Sequence, residues 1–220
     1  MNRLVILDLD GVIIKGQSQQ IFLNYLFRKG TMGVFFYLKI FFWFTSYKLG
    51  LADNPEKIMR FAYSFSKNKP TKEIENIMGV FFSEELRKFI FPEIIDIINK
   101  HKQKGEKLII LSNTVDIIAK KVADFLGVKD YISTRLEILE GKFTGKILGN
   151  IVYGENKLDS MNNFIKKNHL SLDDSFAYAD HISDLPLLLM VKNPYAVNPD
   201  RFLLTEAERR NWPILKFQGI

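Results

Sequence analysis

The chain has 220 residues, 47% of them hydrophobic and 25% charged, a composition typical of a folded globular protein. It has no cysteine, which excludes disulfides, thiolate metal sites and a cysteine nucleophile, and which fits a cytoplasmic location. Its formal net charge of +6 comes from scattered basic residues without an arginine-rich tract, so we predict no nucleic-acid partner.

The first predicted element is a strand over residues 3–8. This short, continuous apolar run is typical of a buried central strand, and it ends at Asp8. Asp8 and Asp10 interrupt the apolar run far too early for a signal peptide. The sequence therefore predicts a strand with two carboxylates just beyond its carboxyl end.

Residues 15–90 break the strand–helix alternation found elsewhere. They contain no convincing strand and show helical apolar periodicity. The periodicity is interrupted by turn residues at Gly30, Gly50, 54–55 and 69–70. We predict that residues 15–90 form an inserted all-helical cap, and that residues 1–14 and 91–220 form the core.

The core segment alternates between strands and helices. Strands are predicted over 107–111, 175–179 and 195–197, with an edge strand over 213–216 and a hairpin over 131–147 that turns at Glu140 and Gly141. Helices are predicted over 92–104, 115–126, 155–168, 183–190 (with Ser183 as N-cap) and 200–210. The pattern predicts an α/β fold, with a doubly wound, Rossmann-like parallel sheet.

The first candidate site is the segment Asp8-Leu9-Asp10-Gly11, directly after the first strand. An aspartate can attack phosphorus to give an acyl-phosphate, and a second carboxylate can protonate the leaving oxygen. Gly11 would let backbone N–H groups approach a phosphate closely. The alternatives are a calcium loop or an ordinary Asp-Gly turn.

Three further segments carry candidate polar groups. Ser112 and Asn113 follow the second strand, where a hydroxyl and helix N-terminal N–H groups would bind an anion, although a simple helix N-cap is the alternative. Lys157, near a predicted helix start, would neutralise a phosphate, or it is a surface lysine. Asp180 and Asp184 follow the third strand and could hold a divalent cation, or cap the next helix.

Together these segments resemble the motifs of the haloacid dehalogenase superfamily of phosphohydrolases. The matching pieces are LDLDGV (7–12), LSNT (111–114), the lysine in GENKL (154–158) and YADHISDLPLL (178–188). AVNPD (196–200) and NWPIL (211–215) are similar to the phosphoserine-phosphatase-like subgroup, in which a helical cap follows the first motif. The resemblance covers most of the chain outside the predicted cap.

The resemblance implies a role for each matching residue and a magnesium cofactor. Asp8 would be the nucleophile and a magnesium ligand, and Asp10 the general acid and base, with its backbone carbonyl on the metal. Asp180 would be a metal ligand, and Asp184 would orient metal-bound water or Lys157. Phosphate binding would fall to Leu9, Gly11, Ser112, Asn113 and Lys157.

Two positions depart from the family pattern. Val12 stands where many members have Thr or Ser, so any role of that hydroxyl is absent. His181 stands where small polar residues are usual, which leaves the metal preference open, because an imidazole suits zinc or iron better than magnesium. We expect His181 to face solvent or to lie behind the metal ligands.

The predicted cap contains a densely aromatic run over residues 33–46. The run spans about 14 residues with Lys39 inside it, short of the roughly 20 that a membrane-spanning helix needs. Three interpretations of this run stay open: a buried cap helix, an interfacial helix at a membrane surface, or the lining of a pocket for an apolar leaving group. Residues 15–20 contain no acid to read the ammonium of phosphoserine, although Glu56 or Arg60 could substitute.

The sequence therefore favours a magnesium-dependent phosphatase whose phosphorylated substrate has an apolar or lipid-like leaving group. The alternatives are a phosphatase of phosphoserine or another small metabolite, a phosphomutase, and a non-catalytic membrane-surface protein on the same fold. Retention of Asp8, Asp10, Lys157 and Asp180 together argues against the last of these, because buried like charges without a metal are costly. The sequence predicts no oligomeric state.

Overall fold

The computed structural model describes residues 3–48 and 60–218. Within these residues a single sheet contains seven strands. They are β1 (Leu4–Leu7), β2 (Lys107–Val115), β3 (Asp130–Leu139), β4 (Lys142–Leu148), β5 (Phe176–Ala179), β6 (Asn193–Val197) and β7 (Ile214–Leu215). Their order across the sheet is β4-β3-β2-β1-β5-β6-β7, and every pair is parallel except β3–β4. The predicted α/β fold with a mostly parallel sheet is confirmed.

The named helices flank the sheet or belong to residues 15–90. They are α1 (Ser18–Arg28), α2 (Val34–Lys48), α3 (Thr71–Glu84), α4 (Pro92–Gln103), α5 (Asp116–Leu126), α6 (Glu155–Lys167), α7 (Leu185–Met190) and α8 (Arg201–Arg209). Glycine ends α5 as predicted, since Gly127 has φ +60° and ψ +37°. None of the helices within the described ranges is long and apolar enough to cross a membrane.

Strand β1 lies at the centre of the sheet and is buried on both faces. Val5 and Leu7 pack into one apolar cluster and Leu4 and Ile6 into the other, as the two-residue repeat of a strand requires. Its neighbours are β2 on one side and β5 on the other, so the strand order reverses next to β1. Ligands of open α/β sheets bind at this reversal, beyond the carboxyl ends of the strands.

The β3–β4 hairpin has the predicted turn. Glu140 and Gly141 both have positive φ, +50° and +74°, as the favoured two-residue hairpin turn requires. The hairpin also reaches the predicted cap, because the Asn68 N–H donates to the Phe143 carbonyl (2.8 Å) and the Thr71 N–H donates to the Gly141 carbonyl (3.0 Å). These bonds attach the start of α3 to the hairpin tip.

Two local predictions were wrong. Strand β2 does not end at Ser112 but runs to Val115, because Val115 pairs with Thr134 on β3 after a register shift beyond Leu111. Ser183 does not cap a helix either. The His181 side chain accepts the Ser183 N–H (3.1 Å), and a turn of 3-10 helix separates this cap from α7.

The boundary between predicted core and cap stays a prediction, and local contacts are consistent with it. Ile14 and Ile90 form an antiparallel bridge, and the Phe91 N–H donates to the Ile13 carbonyl (3.0 Å). The two chain crossings into residues 15–90 therefore lie side by side. The predicted breaks at Gly50 and at 54–55 lie outside the described residues.

Candidate active site

The candidate site lies where β1 and β5 end. The Asp8 N–H donates to the Tyr178 carbonyl (3.0 Å), which extends the β1–β5 pairing by one residue and fixes Asp8 at the strand end. In the register, Leu7 pairs with Ile110 on β2 and with Tyr178 on β5. Side chains that follow these three strands therefore converge on one edge of the sheet.

Lys157, from the first turn of α6, reaches this edge from across the sequence. Its ammonium donates to Asp8 Oδ1 (3.1 Å) and to Asp184 Oδ2 (2.9 Å). All three side chains are buried, with at most 11% of any of them exposed. The surface-lysine interpretation is therefore excluded, and one cation holds two carboxylates in place.

Three carboxylates come together around this lysine. Asp8, Asp180 and Asp184 each offer an oxygen, and these oxygens all lie within 4.8 Å of one another. One ammonium cannot balance three carboxylates, of which two are buried and Asp180 is half-buried, so the residues fit a hard divalent cation bound by oxygen. In chain order, these acids and Lys157 come from three separate stretches.

Gly11 makes this grouping possible. It has φ +80°, and a Cβ atom added to it would lie 1.9 Å from Asp180 Oδ2. The Asp180 carboxylate therefore occupies space that any side chain at position 11 would fill. The Gly11 N–H itself donates to the Ile14 carbonyl (2.8 Å), and the role of Gly11 in phosphate binding stays a prediction.

Burial raises the pKa of Asp8 and the pKa of Asp180. The pKa of Asp8 is raised because burial outweighs the attraction of Lys157, and the charges of Asp184 and Asp10 raise it further. The pKa of Asp180 is raised by burial and then by Asp8 and Asp184. For Lys157, burial alone would lower the pKa, but Asp184 and Asp8 together raise it, so it stays charged.

Asp10 sits apart from the three-carboxylate cluster. Its Oδ1 accepts the Ser18 N–H (2.8 Å) at the start of α1, whereas its Oδ2 is buried without a hydrogen-bond partner. Burial raises the pKa of Asp10 to about 6, against the opposing hydrogen bonds from Ser18. A carboxyl with such a pKa exchanges a proton near neutral pH, as a general acid and base requires.

The other predicted site residues lie nearby in different settings. Leu9 is fully buried, and its carbonyl accepts the N–H groups of Ile13 and Ile14. Ser112 is buried, and its Oγ accepts the Thr114 N–H (3.2 Å), so it neither follows β2 nor caps α5. Asn113 is half-buried.

His181 faces solvent. Its side chain is 51% exposed and lies 3.2 Å from Asp200 Oδ2 through Nε2, while Nδ1 accepts the Ser183 N–H. It does not belong to the cluster of Asp8, Asp180 and Asp184, and its solvent-facing position is one of the two that we expected. Val12 is fully buried in the apolar core, which gives its side chain a packing role.

Sequence reasoning missed two polar residues near Asp10, Ser18 and Tyr63. Ser18 donates its N–H to Asp10 and its hydroxyl to Thr114 (3.0 Å), and Tyr63 is buried in the same place. The pair Gln17-Ser18 ahead of an apolar helix was a helix-start signal that could have drawn attention to Ser18. Nothing local in the sequence marks Tyr63, because its position depends on how residues 60–66 pack.

The chain is similar in sequence to known proteins. The haloacid dehalogenase-like hydrolase family matches residues 5–189. A histidinol-phosphatase of Neisseria meningitidis serogroup C (strain 8013) is 27% identical over 99% of this chain and 100% of its own.

Solved structures agree in fold. A protein of unknown function from Bordetella pertussis Tohama I has a TM-score of 0.89 at 23% identity, over 98% of this chain and 99% of its own. A phosphoserine phosphatase solved as a phospho-aspartyl intermediate analogue has a TM-score of 0.69 at 18% identity, over 99% of this chain and 94% of its own. Because the family model covers residues 5–189, the chain belongs to the haloacid dehalogenase-like hydrolase family.

Proposed function

We propose that the protein is a magnesium-dependent phosphatase that works through a covalent aspartyl-phosphate on Asp8. The observation that carries this proposal is the position of Asp8, buried at the end of β1 with Oδ1 3.1 Å from the Lys157 ammonium. Asp180 and Asp184 complete a cluster of oxygens within 4.8 Å of one another. Magnesium held by Asp8, Asp180 and the Asp10 carbonyl would offset the repulsion between Asp8 and the phosphate.

In the proposed first step, an Asp8 oxygen attacks phosphorus and the bond from phosphorus to the leaving oxygen breaks. The carboxyl of Asp10 gives its proton to that oxygen, so an alcohol departs. In the second step Asp10 takes a proton from water, the water oxygen attacks phosphorus, and the bond to Asp8 breaks. Inorganic phosphate leaves, and both aspartates return to their starting states.

The remaining residues would hold the phosphate during both steps. Lys157 would neutralise charge on Asp8 and on the phosphate, and Asp184 keeps its ammonium in place. Ser112 would donate its hydroxyl to a phosphate oxygen, with Leu9 and Asn113 lining the same edge. Gly11 would act by leaving room for Asp180 rather than through its N–H group.

We propose an apolar leaving group for the substrate. An apolar cavity lies between α1, α2 and Tyr63, lined among others by Phe22, Leu26 and Ile40. Its free volume of about 20 Å³ holds about one water molecule, so a long lipid chain would enter only if these helices separate. Glu56, one possible reader of a substrate ammonium, lies outside the described residues, and Arg60 is exposed.

A second candidate substrate is a phosphorylated amino alcohol of the histidinol phosphate type. The observation that favours it is the end-to-end match to the histidinol-phosphatase, which covers 99% of this chain and 100% of the relative. Hydrolysis rates for histidinol phosphate, phosphoserine, lysophosphatidic acid and simple alkyl phosphates would rank these classes. Efficient cleavage of small polar esters with no cleavage of apolar ones would contradict the apolar leaving group.

The proposed mechanism is tested with p-nitrophenyl phosphate, with and without magnesium, on the wild type and on Asp8→Asn. We expect turnover only with magnesium, and a loss of several orders of magnitude in Asp8→Asn because no nucleophile remains. Asp124→Asn, at a side chain that is 59% exposed, is the matched control and should keep wild-type activity. Magnesium-independent turnover, or an active Asp8→Asn, would exclude the mechanism. A phosphomutase would instead return isomerised product without free phosphate.

We also propose that the aromatic run over residues 33–46 contacts a membrane surface from the cytoplasmic side. One face of α2 packs on the protein, where Ile40 is fully buried. The opposite face exposes Phe35 (91%), Leu38 (52%) and Phe42 (70%). Helix α2 carries no acidic residue, which suits an anionic lipid surface.

Sedimentation with anionic vesicles tests the membrane proposal. Replacing Phe35 and Phe42 by serine should abolish co-sedimentation, because their exposed rings would supply the buried apolar area. Phe202→Ser is the matched control, since Phe202 is 54% exposed on the core and lies outside α2. Equal vesicle binding by the wild type and the double variant, or none by either, would refute the contact.

A further inference from the structure

Tyr63 presents a buried polar atom that the proposed mechanism does not use. The residue is 3% exposed, and its hydroxyl has no hydrogen-bond partner of normal geometry. The backbone beside it is well held, because the Ser66 hydroxyl donates to the Tyr63 carbonyl (2.7 Å). Buried hydroxyls are rarely left unpaired, so an orphan of this kind calls for a partner that is missing from the free protein.

A second buried polar atom without a hydrogen-bond partner belongs to Asp10, whose charge acts on Tyr63. Oδ2 of Asp10 is buried and unpartnered, while Oδ1 is held by the Ser18 N–H. The Ser18 hydroxyl donates to Thr114 (3.0 Å), and Thr114 in turn lies close enough to Tyr63 to lower its pKa. Burial and the Asp10 charge raise the pKa of Tyr63 by more than Thr114 lowers it. The Tyr63 hydroxyl therefore stays protonated and can donate a hydrogen bond.

The ring of Tyr63 also forms one wall of the apolar cavity described above. The other lining residues are Gln19 and apolar residues such as Phe22, Leu23 and Ile40. Tyr63 is thus the residue shared by the cavity and the polar cluster around Asp10. A leaving group bound with its oxygen at Asp10 Oδ2 would place its first carbon atoms at this wall.

We infer that Tyr63 is a catalytic residue that hydrogen-bonds the oxygen of the leaving group beside Asp10. This inference rests on the proposed phosphatase mechanism and deepens it. As the bond from phosphorus to the leaving oxygen breaks, Asp10 transfers its proton to that oxygen. Tyr63 donates a hydrogen bond to the same oxygen and keeps its own proton, so the charge balance of the step is unchanged. The substrate class is a phosphomonoester of an alcohol with apolar carbon next to the ester oxygen.

The test compares Tyr63→Phe with the wild type on two substrates. Butyl phosphate releases an alkoxide that needs both a proton and a hydrogen bond, and p-nitrophenyl phosphate releases a stable phenolate that needs neither. We expect kcat for butyl phosphate to fall on the order of 10²-fold, with KM little changed, because one donor to the developing charge is lost. For p-nitrophenyl phosphate we expect little change in kcat.

A catalytic role and a purely structural role of Tyr63 also predict different effects of Tyr63→Phe on stability. Removing an unpaired hydroxyl from a buried ring should leave Tm unchanged or raise it. Tyr25→Phe is the matched control, because the Tyr25 hydroxyl donates to Glu84 (3.1 Å) away from the site. Tyr25→Phe should lower Tm slightly and keep full activity on both substrates.

The outcomes separate this inference from the proposed function. Full butyl phosphate turnover in Tyr63→Phe, or an equal loss on both substrates together with a lower Tm, would overturn the role of Tyr63 and leave the mechanism standing. A wild type that cleaves neither ester, while Mg²⁺ leaves its Tm unchanged, would overturn the proposed function and the role of Tyr63 with it.

Discussion

At the scale of single residues, the site depends on carboxylates that lie close to one another beside one ammonium group. Gly11 leaves the volume that Asp180 occupies, and Lys157 is the ammonium held between Asp8 and Asp184. The residue types were predictable from the motifs, since each follows a strand or begins a helix. The hydrogen bond from the Gly11 N–H to the Ile14 carbonyl was not predictable, because it depends on how the whole loop after β1 folds.

Gly11→Ala tests the space around Asp180. The new Cβ would lie 1.9 Å from Asp180 Oδ2 at a φ of +80°, so the carboxylate must move. We expect magnesium-dependent turnover to fall roughly 10²-fold or more, as for other displacements of about 1 Å in a catalytic group. Gly16→Ala, at φ +91° with nothing within 4 Å, bears similar backbone strain without the clash and should stay active. Equal activity of the two variants would refute the argument.

Lys157→Met tests the buried ion pairs. Removing the ammonium leaves Asp8 and Asp184 without their cation, so we expect a loss of about 3–5 kcal/mol in the free energy of unfolding in chelator. Magnesium should restore part of this loss because it would supply positive charge to the same carboxylates. The measurement is urea unfolding with and without the metal. Lys120→Met, at an exposed i,i+4 pair with Asp124, should change stability by no more than about 0.5 kcal/mol.

At the scale of elements, the start of α1 holds the general acid. Ser18 is the first residue of this helix, and its N–H group has no partner inside the helix, so it can donate to Asp10 Oδ1. The helix was predictable from its periodicity. Its contact with Asp10 was not, because it requires the chain between residues 10 and 18 to fold back on the strand end.

Ser18→Pro and Ser18→Ala separate the two bonds of this residue. Proline suits the first helical position, and Gln17 already has the extended backbone that precedes proline (φ −109°, ψ 114°). Ser18→Pro removes the N–H bond to Asp10, so we expect kcat to fall on the order of 10²-fold, in line with lost general acid–base catalysis. Ser18→Ala keeps that bond and should lose much less activity. Similar kcat values for both variants would show that the N–H bond does not matter.

At the scale of the whole molecule, the acids of the candidate site link the stability of the fold to pH. The folded-state pKa values of Asp8, Asp10 and Asp180 are raised above the unfolded value of about 3.9, to about 6 for Asp10. The folded protein therefore binds more protons than the unfolded chain. The resulting stability is fully present below about pH 4 and is lost as the pH rises through the folded-state pKa values.

In chelator, we therefore expect Tm to fall as the pH rises from about 5 past 6, and magnesium to raise Tm most at the alkaline end. The reason is that cation binding favours the deprotonated carboxylates and competes with protons. Differential scanning fluorimetry across pH, with and without magnesium, measures both effects. Asp180→Asn should flatten the curve in chelator and reduce the magnesium effect. A Tm in chelator that increases over this range would contradict the raised pKa values.

The sequence by itself determined the central strand, the hairpin turn, the parallel sheet and the acids and lysine of the site. These features follow from local patterns. Apolar periodicity, turn residues and carboxylates at strand ends can each be recognised within a short stretch of the sequence. Only the tertiary structure decided that Tyr63, Ser18 and Thr114 surround Asp10, and that one face of α2 is exposed. The physical reason is that such contacts arise where separate segments pack against each other, and no short stretch of sequence encodes that packing.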